Sequence, residues 1–364
     1  MTVDTVRFYM MKSAKAGAKD APAFGLRECD MTKRQNERER KEYKPCSPAR
    51  EGALETERLI LRRWTADDAE DLYRFAKDPA VGPVAGWKPH QSAAESLWVI
   101  ENVFSRPEAY AICLKEDDDE VGVRAGSAIG AAELRLKEHT DMTERDDECE
   151  LGYWLGKPFW GRGIMPEAAG ELLCRAFCDL GMEKVWCGYY DGNTKSKRVQ
   201  EKLGFRYGWT TEGLDVPQMG EKRTGHVNFL TKDRWEWLRM RDAAEAVRRE
   251  RSVSEYVTCG EVSAAILSAS GRIYTGICVD TASTLGICAE RNAIFNMLTN
   301  GEQTVRKVLA ILPDKKSSAP CGACRELLVQ LMPKSYKDIE IMMDLDEDRV
   351  LTLGELTPEW WIRT

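Results

Sequence analysis

The 364-residue sequence lacks any apolar run close to the roughly 20 residues that a helix needs to span a bilayer. Its start shows no charged stretch followed by an apolar core and a small-residue cleavage site, so we expect neither a membrane protein nor a secreted one. It also lacks a surplus of positive charge. The net charge of −7 argues against nucleic acid as a partner, because a phosphate backbone repels an acidic surface.

The twelve cysteines lack the dense spacing of a small disulfide-bonded secreted domain, which favours a reducing compartment, and we predict the cytoplasm. With 43% hydrophobic and 31% charged residues, the composition is typical of a globular protein. The chain is longer than one hydrophobic core usually supports. Two domains are therefore expected.

Three segments differ in composition and pattern. Residues 1–50 hold 12 Lys or Arg against 7 Asp or Glu and little periodic apolar pattern, which predicts a flexible basic tail. A targeting peptide is the alternative, although the interspersed acids fit poorly with acid-poor transit peptides. Residues 51–240 and 241–364 each alternate strand and helix patterns, so we predict two α/β domains with a boundary near residue 240.

Periodicity and turn residues place the elements of these domains. In the first domain, strands are predicted at residues 57–62, 109–114, 127–136, 149–155, 185–190 and 205–210, with helices running to residue 77 and over 166–180 and 194–203. A polar helix is predicted over residues 242–250. The second domain shows strands at 264–268, 272–276, 307–312 and 339–343, with helices at 288–298 and after residue 321.

Three cysteines of the second domain have the spacing of a metal site. Cys288 begins the triplet Cys-Ala-Glu, while Cys321 and Cys324 lie in Pro-Cys-Gly-Ala-Cys, and both motifs open a predicted helix. Thiolates suit zinc, and the positive end of a helix dipole lowers the pKa of a thiol. No fourth Cys or His stands at ligand spacing, so one position stays open for water, as in catalytic zinc sites. A structural zinc knuckle or buried free cysteines are the alternative.

Glu290 lies two residues after the first of these cysteines, within reach of a water molecule in the open position. Its carboxylate can take a proton from that water and deliver it to a bound substrate. We therefore predict that Glu290 is the catalytic acid–base group and does not bind the metal.

The order Cys-Ala-Glu, then Pro-Cys-x-x-Cys, resembles the signature of zinc nucleobase deaminases. Residues 271–293 and 320–326 are similar to the small cytidine deaminase and blasticidin S deaminase families, and the resemblance covers about residues 250–364. It implies an α/β/α sandwich, a bound Zn²⁺ and a homo-oligomer formed through this domain. It also implies a hydrogen bond from Arg291 to a ligand sulfur, an ordinary surface arginine being the alternative.

Departures from these families bear on the substrate. Cys278 and Asp280 stand where cytidine deaminases have the Asn and Glu that hold the ribose, and Gly260 replaces an aromatic residue that stacks on the base. A modified cytosine nucleoside or another heterocyclic amine therefore fits as well as cytidine. Near the end of the chain, Trp360 and Trp361 either close over the base or pack in the core.

A glycine-rich turn marks the first domain. Gly161, Arg162, Gly163 and Ile164 lie at the start of a predicted helix, where free backbone amides and the helix dipole favour a pyrophosphate. Alone, such a turn fits an ordinary strand-to-helix connection better. The neighbouring motifs at residues 150–155, 193–196 and 201–205 make it specific.

Together these motifs resemble the GNAT acetyltransferase superfamily, in its ribosomal-protein N-terminal acetyltransferase branch, from about Leu54 to Trp237. The resemblance implies a mixed sheet with helices, and acetyl-CoA held by the four amides of residues 161–164. It further implies that Asn193 contacts the pantetheine region and that Ser196 is the acid for the departing thiolate. Glu150, on a strand at the cleft, is predicted to accept a proton from the substrate ammonium through water, a solvated strand-end carboxylate being the alternative.

The two signatures on one chain predict a bifunctional enzyme. One activity transfers an acetyl group from acetyl-CoA to an amine, and the other is the zinc-dependent hydrolytic deamination of a cytosine-type nucleoside or nucleoside antibiotic, which suggests detoxification. The alternatives are a peptide or protein N-terminal acetyltransferase fused to a cytidine salvage deaminase, and a chain in which one domain only binds or oligomerises. Small-molecule amines and nucleosides are the expected partners.

Overall fold

The computed structural model describes residues 52–361, and the predicted tail over residues 1–50 lies outside this range. An eight-stranded sheet forms the first part, in the order β1-β2-β3-β4-β5-β6-β8-β7. Neighbouring strands are antiparallel, except that β5 and β6 are parallel. The strands are β1 (Leu54–Glu55), β2 (Leu59–Arg62), β3 (Ala109–Leu114), β4 (Ala128–Arg135), β5 (Glu148–Leu155), β6 (Lys184–Tyr190), β7 (Arg206–Val216) and β8 (Glu221–Thr231).

Five helices accompany this sheet: α1 (Ala69–Ala76), α2 (Gly82–Ala85), α3 (Ala93–Asn102), α4 (Ile164–Cys174) and α5 (Thr194–Lys202). Helix α4 continues into a π-helical turn over Arg175–Asp179. Its small and apolar side chains Ala168, Ala169, Leu172 and Leu173 are at most 1% exposed, and they pack into the main core of the sheet. This packing fixes the turn at residues 156–163 against the end of β5.

Strands β5 and β6 part soon after they meet. They form parallel pairs only at residues 148–150 with 184–186, although β5 runs on to Leu155 and β6 to Tyr190. Beyond these pairs the two strands are not hydrogen-bonded to each other, which leaves a gap between them. This splayed pair could admit a ligand.

The second sheet has the order β11-β10-β12-β13-β14, with β9 paired to β10. Its elements are β9 (Arg251–Ser254), β10 (Val257–Ser268), β11 (Ile273–Thr281), β12 (Val305–Ile311), β13 (Glu340–Asp344) and β14 (Arg349–Thr352), with helices α6 (Lys232–Val247), α7 (Ala289–Thr299), α8 (Gly322–Leu331) and α9 (Leu353–Leu356). Side chains of α7 and α8 share a core with one face of the sheet, and side chains of α6 share a core with the other. The predicted fold class, two α/β domains with an α/β/α sandwich in the second, is confirmed.

Helix α6 corrects the sequence interpretation. The predicted polar helix over residues 242–250 instead starts at Lys232, where the Thr231 side chain caps it, and ends at Val247. The prediction failed because the first half of the helix is apolar on two faces and so lacks an amphipathic stripe. Trp235 and Leu238 pack in the core of the first sheet, whereas Trp237 and Met240 pack against the second.

The predicted boundary near residue 240 falls inside α6, between the last strand of one sheet and the first strand of the other. Strand β8 and helix α3 were not predicted, and the strand predicted at residues 205–210 extends to Val216 as half of a long hairpin with β8. Among the helices described, none combines the length and the apolar composition that a membrane span requires.

Candidate functional site

The three predicted cysteine ligands lie together. The Sγ atoms of Cys288, Cys321 and Cys324 all lie within 4.8 Å of one another, with Cys321 3.4 Å from Cys288 and 3.5 Å from Cys324. All three are free thiols. No other Cys, His, Asp or Glu joins this group in the described part of the chain.

Two helix starts bring these sulfurs together. Cys288 is the N-cap residue of α7 and Cys321 that of α8, while Cys324 lies in the first turn of α8. Burial opposes ionisation of the Cys321 thiol, but the backbone amide of Cys324 and the Cys288 thiol donate to it and lower its pKa. Each helix therefore presents its positive end to a sulfur.

Helix α7 is seated directly on the backbone of the edge strand β11. A Cβ atom at Gly276 would lie 2.3 Å from the Ala293 nitrogen and 2.5 Å from the Ala289 oxygen, so only glycine fits there. The side-chain amide of Asn292 donates to the backbone carbonyl of Ile277 at 2.9 Å and fixes the rotation of the helix about its axis. This close approach holds Cys288 and Glu290 in place.

Glu290 is 6% exposed, and burial raises the pKa of its carboxyl, an effect that its own backbone amide and the Cys324 thiol partly offset by donating to it. Arg291 Nη2 lies 3.8 Å from Cys288 Sγ, which is the contact expected from the sequence. The Nε of Arg291 is buried without a hydrogen-bond partner in residues 52–361, so a further donor stands beside the sulfurs. The site thus pairs three soft ligands with an acid–base group and a cation.

The donor set fits zinc. Three sulfur ligands with one open position match the geometry of catalytic zinc sites, and the guanidinium of Arg291 can offset the negative charge of three thiolates. Closed structural sites use four protein ligands, whereas this cluster offers three. Zn²⁺ would be held by Cys288, Cys321 and Cys324.

The residues that depart from the deaminase pattern have different environments. Cys278 is buried and accepts from the Val262 amide at 3.3 Å, whereas the side chain of Asp280 is exposed. Gly260 has φ +84°, and a Cβ atom there would lie 1.9 Å from the Arg249 oxygen. No aromatic side chain could stand at Gly260 without moving the backbone.

The terminal tryptophans share one partner. The indole nitrogens of Trp360 and Trp361 donate to the carboxylate of Glu326 at 2.9 and 3.0 Å. Trp360 packs against the core, while Trp361 remains 72% exposed. Core packing therefore accounts for Trp360 alone.

The glycine-rich turn leads into α4 as predicted. Gly161 and Gly163 have φ of 78° and 77°, and Gly163 is the N-cap residue of α4. A Cβ atom at Gly161 would meet nothing within 4 Å, so the turn is open to a ligand. The side chain of Arg162 is held away by Asp118 at 2.6 Å, which leaves the backbone amides of residues 161–164 as the group that could bind an anion.

A polar network crosses the gap between β5 and β6. Asn193 caps α5 and accepts from the Ser196 amide at 3.1 Å. The Ser196 hydroxyl lies 3.0 Å from the hydroxyl of Tyr153 on β5 and 3.2 Å from the amide nitrogen of Gln200. Asn228 on β8 donates to the Gln200 oxygen at 2.8 Å. Ser196 thus lies beside Tyr153 of β5, while the roles of Asn193 and Ser196 toward coenzyme A stay predictions.

Glu150 lies beside the same strands but is not solvated. It is 7% exposed, and its carboxylate accepts from Arg135 at 2.9 Å and from the Thr140 hydroxyl at 2.7 Å. The alternative interpretation of Glu150, a solvated carboxylate at the end of a strand, is therefore wrong. To act as the predicted base, the Glu150 carboxylate must give up hydrogen bonds from Arg135 or Thr140.

Sequence reasoning missed Tyr153, Gln200 and Asn228. Tyr153 lies inside the motif at residues 150–155, and burial raises its pKa well above the ordinary value. Its position at the gap could have been inferred from that motif. Gln200 and Asn228 lie 28 residues apart and carry no spacing signal, so only the fold shows that they meet.

Two family models match separate parts of the chain. Residues 58–206 match the one described as an acetyltransferase (GNAT) domain. Residues 235–337 match the one described as the cytidine and deoxycytidylate deaminase zinc-binding region. The second match contains all three cysteines and Glu290.

Curated relatives divide in the same way. The uncharacterized N-acetyltransferase p20 of Bacillus licheniformis is 25% identical over 158 residues, which are 42% of this chain and 82% of p20. YdaF of Bacillus subtilis (strain 168), whose name describes a ribosomal N-acetyltransferase, is 30% identical over 116 residues, 32% of this chain and 62% of YdaF. A cytidine deaminase of Halalkalibacterium halodurans is 33% identical over 101 residues, 27% of this chain and 74% of that enzyme.

Proposed function

The chain belongs to the cytidine deaminase family through its C-terminal part and carries a GNAT acetyltransferase domain in its N-terminal part, and from this premise we propose a bifunctional enzyme that acts on amine-bearing small molecules. Both resemblances predicted from the sequence are confirmed, and they imply Zn²⁺ and acetyl-CoA as cofactors. The proposal extends to the reactions, the residues and the substrates. Its strongest support is the cluster of three thiols beside a buried glutamate.

In the deaminase half, water replaces the exocyclic amine of a cytosine-type ring, and ammonia leaves. Zinc, when bound, supplies a Lewis acid that lowers the pKa of water. Glu290 takes a proton from the attacking water and delivers protons to the ring nitrogen and to the leaving amine. Its burial keeps bulk water from competing for these protons, while Arg291 neutralises part of the charge on Cys288.

A nucleoside antibiotic or another modified cytosine nucleoside is the proposed substrate. Gly260 cannot hold a stacking aromatic residue, because the Arg249 oxygen occupies the place of its side chain. Cys278 is turned into the core and is not available to a ribose hydroxyl. Both features remove contacts that an ordinary cytidine would use, and this supports detoxification as the biological role.

In the acetyltransferase half, the amides of Gly161, Arg162, Gly163 and Ile164 would hold the pyrophosphate of acetyl-CoA at the positive end of α4. Asn193 would contact the pantetheine arm. Ser196 would act as the acid that protonates the departing thiolate. Glu150 accepts the proton of the substrate ammonium through water, after the hydrogen bond from the Thr140 hydroxyl to its carboxylate has broken.

A peptide or protein N-terminus is the second candidate acceptor, with a cytidine salvage deaminase as its companion. The name of YdaF and its 30% identity support this reading of the ribosomal-protein branch. A chain in which one domain only binds or oligomerises is the remaining alternative, and the buried Glu290 beside the cysteines argues against it for the deaminase.

We further propose that the chain forms a homo-oligomer through the deaminase domain and works in the cytoplasm. Several large apolar side chains of that domain are exposed, and a second copy would cover them: Val253, Tyr256, Leu285, Phe295 and Trp361. An enzyme that binds zinc through three cysteine thiolates also suits a reducing compartment.

One panel tests both activities. The purified chain is incubated with cytidine, modified cytosine nucleosides and amine-bearing antibiotics, with and without acetyl-CoA, and mass spectrometry detects exchange of an amino group for oxygen and gain of an acetyl group. Metal analysis accompanies it: we expect one zinc per chain, lost in Cys321→Ala and kept in Cys174→Ala, whose thiol lies outside the cluster. Unchanged zinc in Cys321→Ala would remove the metal assignment.

A further inference from the structure

Gln200 is a fully buried polar side chain that the proposed acyl transfer does not use. It lies on α5, 0% exposed, and its amide contacts Ser196, the Gly188 carbonyl and Asn228. Burying an amide is costly unless both of its ends are hydrogen-bonded. Two partners of Gln200, Gly188 on β6 and Ser196 on α5, lie beside the gap. Gln200 can therefore influence the hydrogen bonds of Ser196.

The partners fix the orientation of this amide. The Gly188 carbonyl, 3.4 Å away, can only accept, so the nitrogen of Gln200 must face it. Asn228 donates to the Gln200 oxygen at 2.8 Å from the other side. The same nitrogen faces the Ser196 hydroxyl at 3.2 Å, so Gln200 donates and Ser196 Oγ accepts.

The direction of the Ser196 proton follows. Since Ser196 Oγ already accepts from Gln200, its own hydrogen is free to be donated. The Tyr153 hydroxyl can donate to the Ser196 carbonyl at 3.2 Å and can accept from Ser196 Oγ at 3.0 Å. In the structure, the chain of donors therefore runs from Asn228 through Gln200 to Ser196 and ends on the Tyr153 hydroxyl of β5.

We propose that Gln200 and Asn228 are positioning residues that keep the Ser196 hydroxyl a hydrogen-bond donor, so that its proton, held by Tyr153 in the free protein, turns to the sulfur of coenzyme A when the cofactor is bound. The inference rests on the proposed acetyltransferase function. During transfer, the amine nitrogen bonds to the acetyl carbon while the carbon–sulfur bond breaks and leaves its electron pair on sulfur. Ser196 donates its hydroxyl proton to that sulfur. The nitrogen gives its surplus proton to water, and water returns one proton to the serine oxygen, so the serine ends the step as it began.

The test needs no acceptor substrate. A hydrogen bond donated to sulfur favours the thiolate, so it lowers the pKa of the thiol of bound CoA. Since the thiolate then binds more tightly than the thiol, CoA affinity rises with pH across roughly pH 7 to 10, where thiols ionise. Calorimetry measures this rise for CoA. Desulfo-CoA, which has hydrogen in place of the thiol, shows no such rise and reports whether the cleft is intact.

Four variants carry the comparison. We expect Ser196→Ala and Gln200→Met each to reduce the pH-dependent gain on the order of tenfold, as the loss of a charge-assisted hydrogen bond does. The double variant should lose no more than Ser196→Ala alone, because Gln200 acts through Ser196. Lys197→Met makes a substitution to the same residue at an exposed position of α5, next to Ser196 in the sequence, and should behave like the parent. If Gln200→Met fails to fold, Asn228→Ala should show a smaller loss in the same direction.

The outcomes separate the proposals. A chain that binds neither CoA nor desulfo-CoA overturns the acetyltransferase proposal and this inference with it. Tight CoA binding with the same pH dependence in Gln200→Met and in the parent overturns the positioning role alone. Losses that add in the double variant also overturn it, because Gln200 would then act independently of Ser196.

Discussion

Two glutamates proposed as proton carriers have opposite surroundings. Glu290 is buried beside sulfur and forms no ion pair among the described contacts, although the charge of Arg291 partly offsets the rise that burial gives its pKa, whereas Glu150 is buried in an ion pair with Arg135. A carboxylate outside an ion pair stays available for protons, and a paired one must first lose its partner. The two positions should therefore respond differently to the same isosteric substitution.

At Glu290, substitution by Gln should abolish the proton transfer and leave the fold intact. General acid–base catalysis typically contributes on the order of 10²–10⁴ in rate, so deamination should fall by at least that range while zinc stays bound. Steady-state rates and metal analysis check this, with the exposed Glu261→Gln as control. A variant with the parent rate would show that another group carries the proton.

At Glu150, substitution by Gln should cost stability. Arg135 keeps its ion pair with Glu133 at 2.5 Å but loses its charged partner at Glu150, so the free energy of unfolding should fall by about 1–3 kcal/mol. Chemical denaturation measures this against the exposed Glu138→Gln, expected within about 0.5 kcal/mol of the parent. Equal stability of the two variants would contradict the paired state of Glu150.

How far the sequence predicts these residues depends on the range of their contacts. Cys288, Cys321 and Glu290 are recognisable because their roles follow from short spacings at helix starts, which the fold preserves. The partners of Glu150 and Gln200 come from other strands, and no local pattern signals such pairings. The chemistry of the zinc cluster was therefore predictable, and the hydrogen-bonding state of the acetyltransferase groups was not.

Among the elements, the turn before α4 is the proposed binding site for the pyrophosphate of acetyl-CoA. Gly163 has φ 77°, a conformation that Asn tolerates better than most side chains, so Gly163→Asn and Gly163→Asp differ mainly in charge. Asp should oppose the pyrophosphate and weaken acetyl-CoA binding on the order of tenfold or more relative to Asn. Thermal shifts with acetyl-CoA compare the two. An equal shift in both variants would place the cofactor elsewhere.

The contact between α7 and β11 should tolerate no added atom. Gly276→Ala puts a methyl group against the backbone of Ala289 and Ala293, so the unfolding free energy should fall by about 1–3 kcal/mol and zinc affinity should fall with it. Gly170→Ala on α4 meets nothing within 4 Å and should instead gain about 0.5–1 kcal/mol. A neutral Gly276→Ala would mean that α7 can slide without disturbing its cysteine.

Strands with a continuous apolar run were predicted well. Strand β3 lies at residues 109–114 as predicted, because its apolar run is buried along its full length. Strand β7 was predicted too short because most of it is exposed and its polar residues give no alternation. Helix α6 was misplaced for the opposite reason, since two buried faces hide the helical period.

Over the whole molecule, α6 connects the two sheets through contacts of different kinds. Trp235 lies 5.0 Å from Phe177 of the first core, measured between ring centroids. On the second sheet, Lys307 is 3% exposed and pairs with Glu236 of α6 at 3.0 Å and also with Asp233. Apolar burial on one side and a buried ion network on the other bind the helix to both sheets.

The two domains should therefore unfold in one transition. Scanning calorimetry should show a single peak that acetyl-CoA moves up and a zinc chelator moves down, since ligands of either site stabilise the shared folded state. Trp237→Ala removes a buried side chain between α6 and the second sheet. It should reduce the free energy of unfolding by about 3–5 kcal/mol and move that same peak to lower temperature. Two peaks, each answering to one ligand, would show that the domains unfold independently.

A helix that serves two cores also limits how the gene can be divided. A fragment that stops at Thr231 leaves the first core without Trp235 and Leu238, and one that begins after Val247 exposes the face of the second sheet that Met240 covers. Fragments made for separate study should therefore overlap, each keeping its own copy of residues 232–247.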